Sequence, residues 1–221
     1  MSKPFSFDLF NQMPVVGIMR NIPDEHIDDV ARVYATSGLT CLEITMNSAN
    51  AEKNISLLAE KYSDRLNIGA GTVCSMNDLE KALKAKAQFI VTPIINEEVI
   101  NACVAEKVPI FPGAYTPSEI YRAWSLGAAM IKLFPAADLK PTYIKEILAP
   151  LNFVSIMPTG GINLDNFTDY FAQGAKGVGV GSQLFPKDIL TLQDWTALGD
   201  IYARFVRKYN DFIGVRDGTK G

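Results

Sequence analysis

Two ionisable residues stand where the chain is expected to bury them. Lys132 lies in Ala129-Met130-Ile131-Lys132-Leu133-Phe134-Pro135, an apolar run that reads as a buried strand ended by a proline. Burial disfavours the ammonium form, so a lysine there is costly. Lys81, Lys84 and Lys86 have a polar helix face to occupy, and Lys145 follows a proline-opened helix; Lys132 has no such face. A desolvated lysine with a lowered pKa is nucleophilic enough to attack a ketone. Glu43 is enclosed in the same way, between Leu42 and Ile44. A charge inside a parallel strand needs a partner or a task. If both strands aim these side chains into one opening, the pair suits Schiff-base chemistry. The amine attacks, and the carboxylate moves protons on and off the carbinolamine and the adjacent carbon. A lysine snorkelling to solvent, or a buried ion pair without chemistry, fits the same residues.

Three further signals concern anions. Thr159-Gly160-Gly161 follows one apolar strand, and Gly177-Val178-Gly179-Val180-Gly181-Ser182 covers the next strand and its exit. Glycine permits close backbone approach, and paired loops of this kind commonly hold a phosphate through backbone N–H groups and a helix N-terminus. Tight turns with no ligand would use the same glycines. Gly69-Ala70-Gly71-Thr72 offers N–H groups and a hydroxyl to a carboxylate, and Arg20 can add a bidentate charge contact or simply lie solvated at a rim. Phe111-Pro112 and Phe134-Pro135 read as wall and strand-end packing.

The elements that must position these residues alternate from end to end. Residues 1–13 read as a short leading helix. Strands are expected at Val15–Met19, Cys41–Thr45, Asn67–Ala70, Gln88–Val91, Val108–Phe111, around Lys132, at Phe153–Met157 and at Gly177–Val180. Between them, helices open at Pro23-Asp24, at Asn47 or Ser48, at Ser75 with Asp78 three residues on, at Asn96, at Thr116-Pro117 and at Pro141. Gly38 ends the first of these, Leu164–Gln173 is helical, a last helix covers Gln193–Phe212, and Val215–Gly221 reads as a loose polar tail. Eight strand–helix units without a break in composition predict one closed (β/α)8 barrel domain over residues 1–221. A doubly wound open sheet is the other arrangement, but it leaves unexplained why polar or glycine-rich signals follow nearly every strand.

Composition narrows the function. The 221 residues carry 21 Lys and Arg against 24 Asp and Glu, with no basic run, which speaks against a nucleic-acid partner. No apolar run approaches the roughly 18 residues of a membrane span, and Met1–Phe5 lacks the apolar core of a signal peptide. Cys41, Cys74 and Cys103 are odd in number and widely spaced, which fits a reduced, cytoplasmic protein. His26, the single histidine, falls in a polar helix start, which removes Ser-His-Asp catalysis and histidine-rich zinc sites and leaves only a carboxylate-held Mg²⁺ as a metal option.

The segments Leu42-Glu43-Ile44-Thr45, Gly69-Ala70-Gly71-Thr72-Val73, Phe111-Pro112-Gly113, Ile131-Lys132-Leu133-Phe134-Pro135, Pro158-Thr159-Gly160-Gly161 and Gly179-Val180-Gly181-Ser182 together resemble the KDPG/KHG aldolase family. Its members are 2-keto-3-deoxy-6-phosphogluconate and 4-hydroxy-2-oxoglutarate aldolases, and the resemblance covers nearly the whole chain. It implies metal-free class I aldol cleavage without a cofactor, on a (β/α)8 barrel that forms a homotrimer. It implies that Lys132 forms the Schiff base with a 2-keto acid, phosphorylated in most cases, and that Glu43 is the general acid/base. It assigns Gly71 and Thr72 to the pyruvyl carboxylate and wall, Thr159 to a substrate contact, and Gly160, Gly161, Gly181 and Ser182 to phosphate.

The chain departs from the family at Met46-Asn47-Ser48, where many members carry Leu-Arg-Thr. Asn47 cannot supply that arginine's charge, so the carboxylate contact passes to Arg20, which matches members with an arginine after strand 1. The Asn-Ser pair, with Val91-Thr92-Pro93-Ile94, resembles the branch acting on 2-keto-3-deoxy-6-phosphogalactonate, whereas Thr159 resembles the gluconate branch. The expectation is therefore a 2-keto-3-deoxy-6-phosphogluconate aldolase, with galactonate or hydroxyoxoglutarate cleavage as alternatives within the same chemistry. A phosphate-binding barrel without lyase activity is the alternative of another class.

Overall fold

Every second residue of each strand points to one common centre. The computed structural model describes residues 3–218. Its strands are β1 (Val15–Met19), β2 (Cys41–Thr45), β3 (Asn67–Gly71), β4 (Phe89–Val91), β5 (Ile110–Phe111), β6 (Gly113–Ala114), β7 (Ile131–Leu133), β8 (Ile156–Pro158) and β9 (Val178–Val180). The helices are α1 (Phe7–Gln12), α2 (Asp24–Ser37), α3 (Ala51–Tyr62), α4 (Met76–Lys84), α5 (Glu97–Ala105), α6 (Pro117–Ser125), α7 (Thr142–Leu148), α8 (Phe167–Ala172), α9 (Lys187–Leu192) and α10 (Trp195–Gly218).

The strands pair in parallel as β5-β4-β3-β2-β1-β9 and as β6-β7-β8. β5 and β6 are two pieces of one barrel strand, interrupted at Pro112. Proline has no N–H to give the ladder, yet the Pro112 carbonyl still accepts from the Lys132 N–H at 2.9 Å, so pairing resumes on the β7 side. A parallel bridge between Thr159 and Gly179 joins β8 to β9 and closes the ring. The expected (β/α)8 barrel is the fold observed.

The lower interior holds Val16, Cys41, Phe89, Phe111, Met130 and Met157, with Phe5 and Phe10 brought in by the leading segment. Phe5 meets the rings of Phe89 and Phe111 at 5.4 and 6.0 Å. Two buried polar residues hold this plug, Asn67 on β3 and Gln88 just before β4. Asn67 accepts from the Ser6 N–H at 2.7 Å and donates to the Ser6 carbonyl at 2.8 Å, and Gln88 Nε2 donates to the Lys3 carbonyl at 3.0 Å. The N-terminal end of the barrel is thus stoppered by aromatic side chains. Two residues further along their strands, Ile18, Glu43, Lys132 and Thr159 face the same interior at the other end, where barrel sites form.

The helix starts follow the expected caps at Ser75, Asn96 and Thr116. Ser75 and Asp78, and Thr116 and Glu119, each form a reciprocal capping box. Gly38 closes α2 at φ 97°, where a side chain would be strained. Other expectations need correcting. α3 starts after Asn50, not at Asn47 or Ser48, because the Ser48 hydroxyl is engaged with Thr45 and Asn21. The strand expected at Phe153–Met157 is β8, and Phe153 is half exposed in the turn before it. α8 begins at Phe167, not Leu164.

The short helix α9 was not expected. It opens after Pro186 and stops at Gln193, whose backbone is left-handed at φ 53°. The last helix therefore begins at Trp195, and its backbone runs on to Gly218. The loose tail expected from Val215 is helical to that point, since extending an anchored helix costs far less than starting one. Residues 219–221 of that tail lie outside the described residues. Among the described residues no helix is long and apolar enough to cross a membrane, and the three cysteines are free.

Candidate active site

The strands around Glu43 and Lys132 are too apolar to solvate either group. Glu43 is 1% exposed and Lys132 4% exposed. Burial pushes the Glu43 carboxyl up from 4.5, while the positive charges of Lys132 and Arg20 pull it back. Burial pushes the Lys132 amine down from 10.5; Glu43 opposes this and Arg20 adds to it. Both groups are therefore drawn toward their neutral forms. Among the described residues no ion pair within 4.0 Å joins them, and Glu43 Oε2 has no hydrogen-bond partner. A closed ion pair, one of the readings the sequence leaves open, is not the arrangement found. Lys132 Nζ stands 4.9 Å from the centre of the Phe134 ring, so Phe134 forms the wall beside the amine.

Gly71 ends β3 against the Glu43 carboxylate; a Cβ there would overlap Oε1. Thr72 follows at φ 56°, a backbone region that β-branched residues seldom adopt. Strain of this kind persists only where the surroundings fix it, and it gathers at binding sites. Gly71 and Thr72 thus sit on the Glu43 side of the barrel mouth.

The other predicted residues share one cavity of about 570 Å³, lined by Arg20, Thr159, Gly160, Gly161, Gly181 and Ser182 together with residues not singled out beforehand. Lys132 and Glu43 are not among its lining groups. Phe134, two residues beyond Lys132, is. Arg20 is exposed at the end of β1 and connects the two regions, since its charge acts on both Glu43 and Lys132. Thr159 is 4% exposed, and its Oγ1 has no hydrogen-bond partner among the described residues. Gly179 on β9 makes room for it, because a Cβ there would strike that oxygen.

The two glycine loops differ in construction. Gly160 and Gly161 sit at φ 97° and 72°, which other residues would not adopt without strain. Asn166 pins this loop: Nδ2 donates to the Gly161 carbonyl at 2.9 Å, and Oδ1 accepts from the Asn163 N–H at 2.9 Å. α8 starts six residues after Gly161, at Phe167, so these two glycines do not themselves open that helix. In the second loop the Gly181 carbonyl accepts from the N–H groups of Leu184 and Phe185, making one helical turn. The N–H groups of Ser182 and Gln183 open that turn and have no i−4 carbonyl within it.

The sequence reading passed over Ile18, Asn21, Asn163, Gln183 and Phe185, which also line the cavity. Ile18 had a usable signal, being two residues before Arg20 on an inward-facing strand. Asn163 had a weaker one, directly after a double-glycine loop. Nothing local marked Phe185. Among the described residues no group of three or more His, Cys, Asp and Glu side chains is placed to hold a metal ion.

The structure is a parallel barrel with a buried lysine and a buried carboxyl at one mouth, beside a cavity lined by Arg20 and two glycine loops. The model of the family described as "KDPG and KHG aldolase" matches residues 8–201, and the chain belongs to that family of carbon–carbon lyases. It is 34% identical over 176 residues to the 2-dehydro-3-deoxy-6-phosphogalactonate aldolase of Escherichia coli K12, covering 79% of this chain and 85% of that one. It is 33% identical over 192 residues to the 2-dehydro-3-deoxy-phosphogluconate aldolase of Treponema pallidum, covering 85% of this chain and 91% of that one. Among solved structures it is similar to the KDPG aldolase of Legionella pneumophila, with a TM-score of 0.80, 27% identity and coverage of 88% and 95%. That enzyme was captured with pyruvate as a covalent carbinolamine intermediate.

Proposed function

We propose that the protein is a class I aldolase that cleaves 2-keto-3-deoxy-6-phosphogluconate to pyruvate and glyceraldehyde 3-phosphate, working as one barrel domain. The unpartnered hydroxyl of Thr159, buried beside the glycine loops, carries the choice of substrate. It supplies a hydrogen bond to a sugar-acid hydroxyl at a position where the galactonate branch tends to an apolar side chain. The neutral amine of Lys132 attacks C2 of the keto acid, and Glu43 gives a proton to the departing water. The resulting iminium draws the electron pair of the C3–C4 bond while Glu43, directly or through a water, takes the proton of the C4 hydroxyl. The aldehyde leaves, C3 of the enamine is protonated with Glu43's help, and water releases pyruvate and the free amine. Gly71, Thr72 and Arg20 hold the keto-acid carboxylate, and Gly160, Gly161, Gly181 and Ser182 hold the phosphate.

The Asn47-Ser48 loop and the Escherichia coli relative favour a second reading, 2-keto-3-deoxy-6-phosphogalactonate. Steady-state cleavage of the two C4 epimers separates them. A higher kcat/KM on the gluconate epimer supports the first reading, and a higher value on the galactonate epimer overturns it. Arg20→Ala is expected to raise KM for the keto acid about tenfold, a charge-assisted contact reduced by exposure. An unchanged KM would mean that the carboxylate is held elsewhere.

The assembly we infer is a homotrimer. Exposed apolar side chains at and around α6 support it: Tyr121 on the helix, Tyr115 just before it, and Phe153, whose ring lies 6.5 Å from that of Trp124 on the same helix. Light scattering should give three times the chain mass, and a monomer would refute it.

A further inference from the structure

Arg20 and Thr72 lie on loops two strands apart, and something must set the distance between them. The hydrogen bonds of the barrel mouth trace an arc from one to the other. At the β3 end the Gly71 carbonyl accepts from the Met46 N–H at 2.8 Å, tying β3 to the β2 exit. At the β2 exit the chain turns, with the Ser48 N–H donating to the Thr45 carbonyl at 2.9 Å. The Ser48 hydroxyl is then shared. It lies 2.8 Å from Thr45 Oγ1, and it accepts from the Asn21 N–H at 2.9 Å. Thr45 is fully buried and pairs with Gly71 in the sheet register, so this end of the arc is anchored in the barrel.

The Asn21 N–H belongs to the peptide group whose carbonyl is that of Arg20. Holding that N–H restrains the peptide plane immediately after Arg20, and with it the backbone from which the arginine side chain leaves the strand. Asn21 itself is held at φ 52°, a turn that asparagine tolerates better than most residues. We propose that Ser48 is a positioning residue: its hydroxyl latches the β1 loop to the β2 loop and so sets Arg20 at the spacing from Thr72 that a 2-keto acid carboxylate requires. Ser48 does not touch the substrate in this account. It acts through Arg20, and the inference rests on the assignment of Arg20 to that carboxylate.

The test is a double-mutant cycle on the full chain, with pyruvate-releasing cleavage of the phosphorylated keto acid as the assay. Ser48→Ala should raise KM about fivefold, the factor for one neutral hydrogen bond, with kcat nearly unchanged. Ser48→Thr, which keeps the hydroxyl, should restore KM. In an Arg20→Ala background, Ser48→Ala should add nothing, because the residue it positions is already gone. A purely structural serine would instead lower the thermal midpoint and raise KM by the same factor in both backgrounds, which would overturn the proposal. An unchanged KM in Ser48→Ala, with KM raised in Arg20→Ala, would overturn it and leave the Arg20 assignment standing. An unchanged KM in Arg20→Ala would reject that assignment and the latch with it.

Discussion

Lys132→Ala should abolish cleavage, with kcat/KM falling by more than about 10⁴-fold, since the covalent route loses its nucleophile. Lys132→Met, which keeps the volume, should fall equally. Both variants should fold. The lysine is a buried amine whose charged form burial disfavours, so its removal relieves a cost, and the Glu43 carboxyl left behind can take up a proton. The pH dependence follows from the same burial. The folded lysine has a pKa below 10.5, so the unfolded chain binds a proton that the folded chain has released. This group's contribution therefore makes stability rise with pH between the lowered pKa and 10.5, and Lys132→Met should flatten that slope in urea titrations. Adduct formation should likewise rise with pH up to the lowered pKa and level off above it. Retention of more than trace cleavage in either variant would contradict the covalent mechanism.

Glu43→Gln is the second large effect. The amide is nearly isosteric and fits against Gly71, so the barrel mouth should keep its shape. It cannot accept the C4 hydroxyl proton, and kcat should fall about 10²- to 10⁴-fold. The partial reaction gives a sharper reading. Wild-type protein incubated with pyruvate in D₂O should exchange the methyl protons through the enamine, and Glu43→Gln should exchange them far more slowly while still forming the adduct on Lys132. Cleavage within tenfold of wild type would remove Glu43 from the proton steps.

Much of this arrangement was legible because the chemistry interrupts a simple pattern. Lys132 and Glu43 stood out since each broke an apolar strand, and the bounds of β1 and β2 could be read directly because each is a five-residue, mostly apolar run. The caps at Ser75, Asn96 and Thr116 were legible for a local reason: the side-chain oxygen that accepts from the first-turn N–H groups belongs to the capping residue itself. What escaped was set by tertiary contact. Ser48 looked like a helix cap, and only the proximity of Asn21, brought in by the β1–β2 pairing, redirects its hydroxyl. Pro112 splits a barrel strand, yet its carbonyl is still paired, by the Lys132 N–H that β7 brings alongside. α9 is a single short turn-and-a-half between Pro186 and a left-handed Gln193, too brief for any periodicity to show. The cavity's apolar side, Ile18 and Phe185, is ordinary core sequence until the barrel closes around it.

The most direct test of the central claim is borohydride trapping in the presence of pyruvate, followed by peptide mass spectrometry. A reduced pyruvyl adduct is expected on the peptide that carries Lys132, and none in Lys132→Ala. Folded protein that yields no adduct, or an adduct on another lysine, would contradict it. The barrel would then be a phosphate-binding protein without lyase chemistry, or an aldolase that uses a different nucleophile.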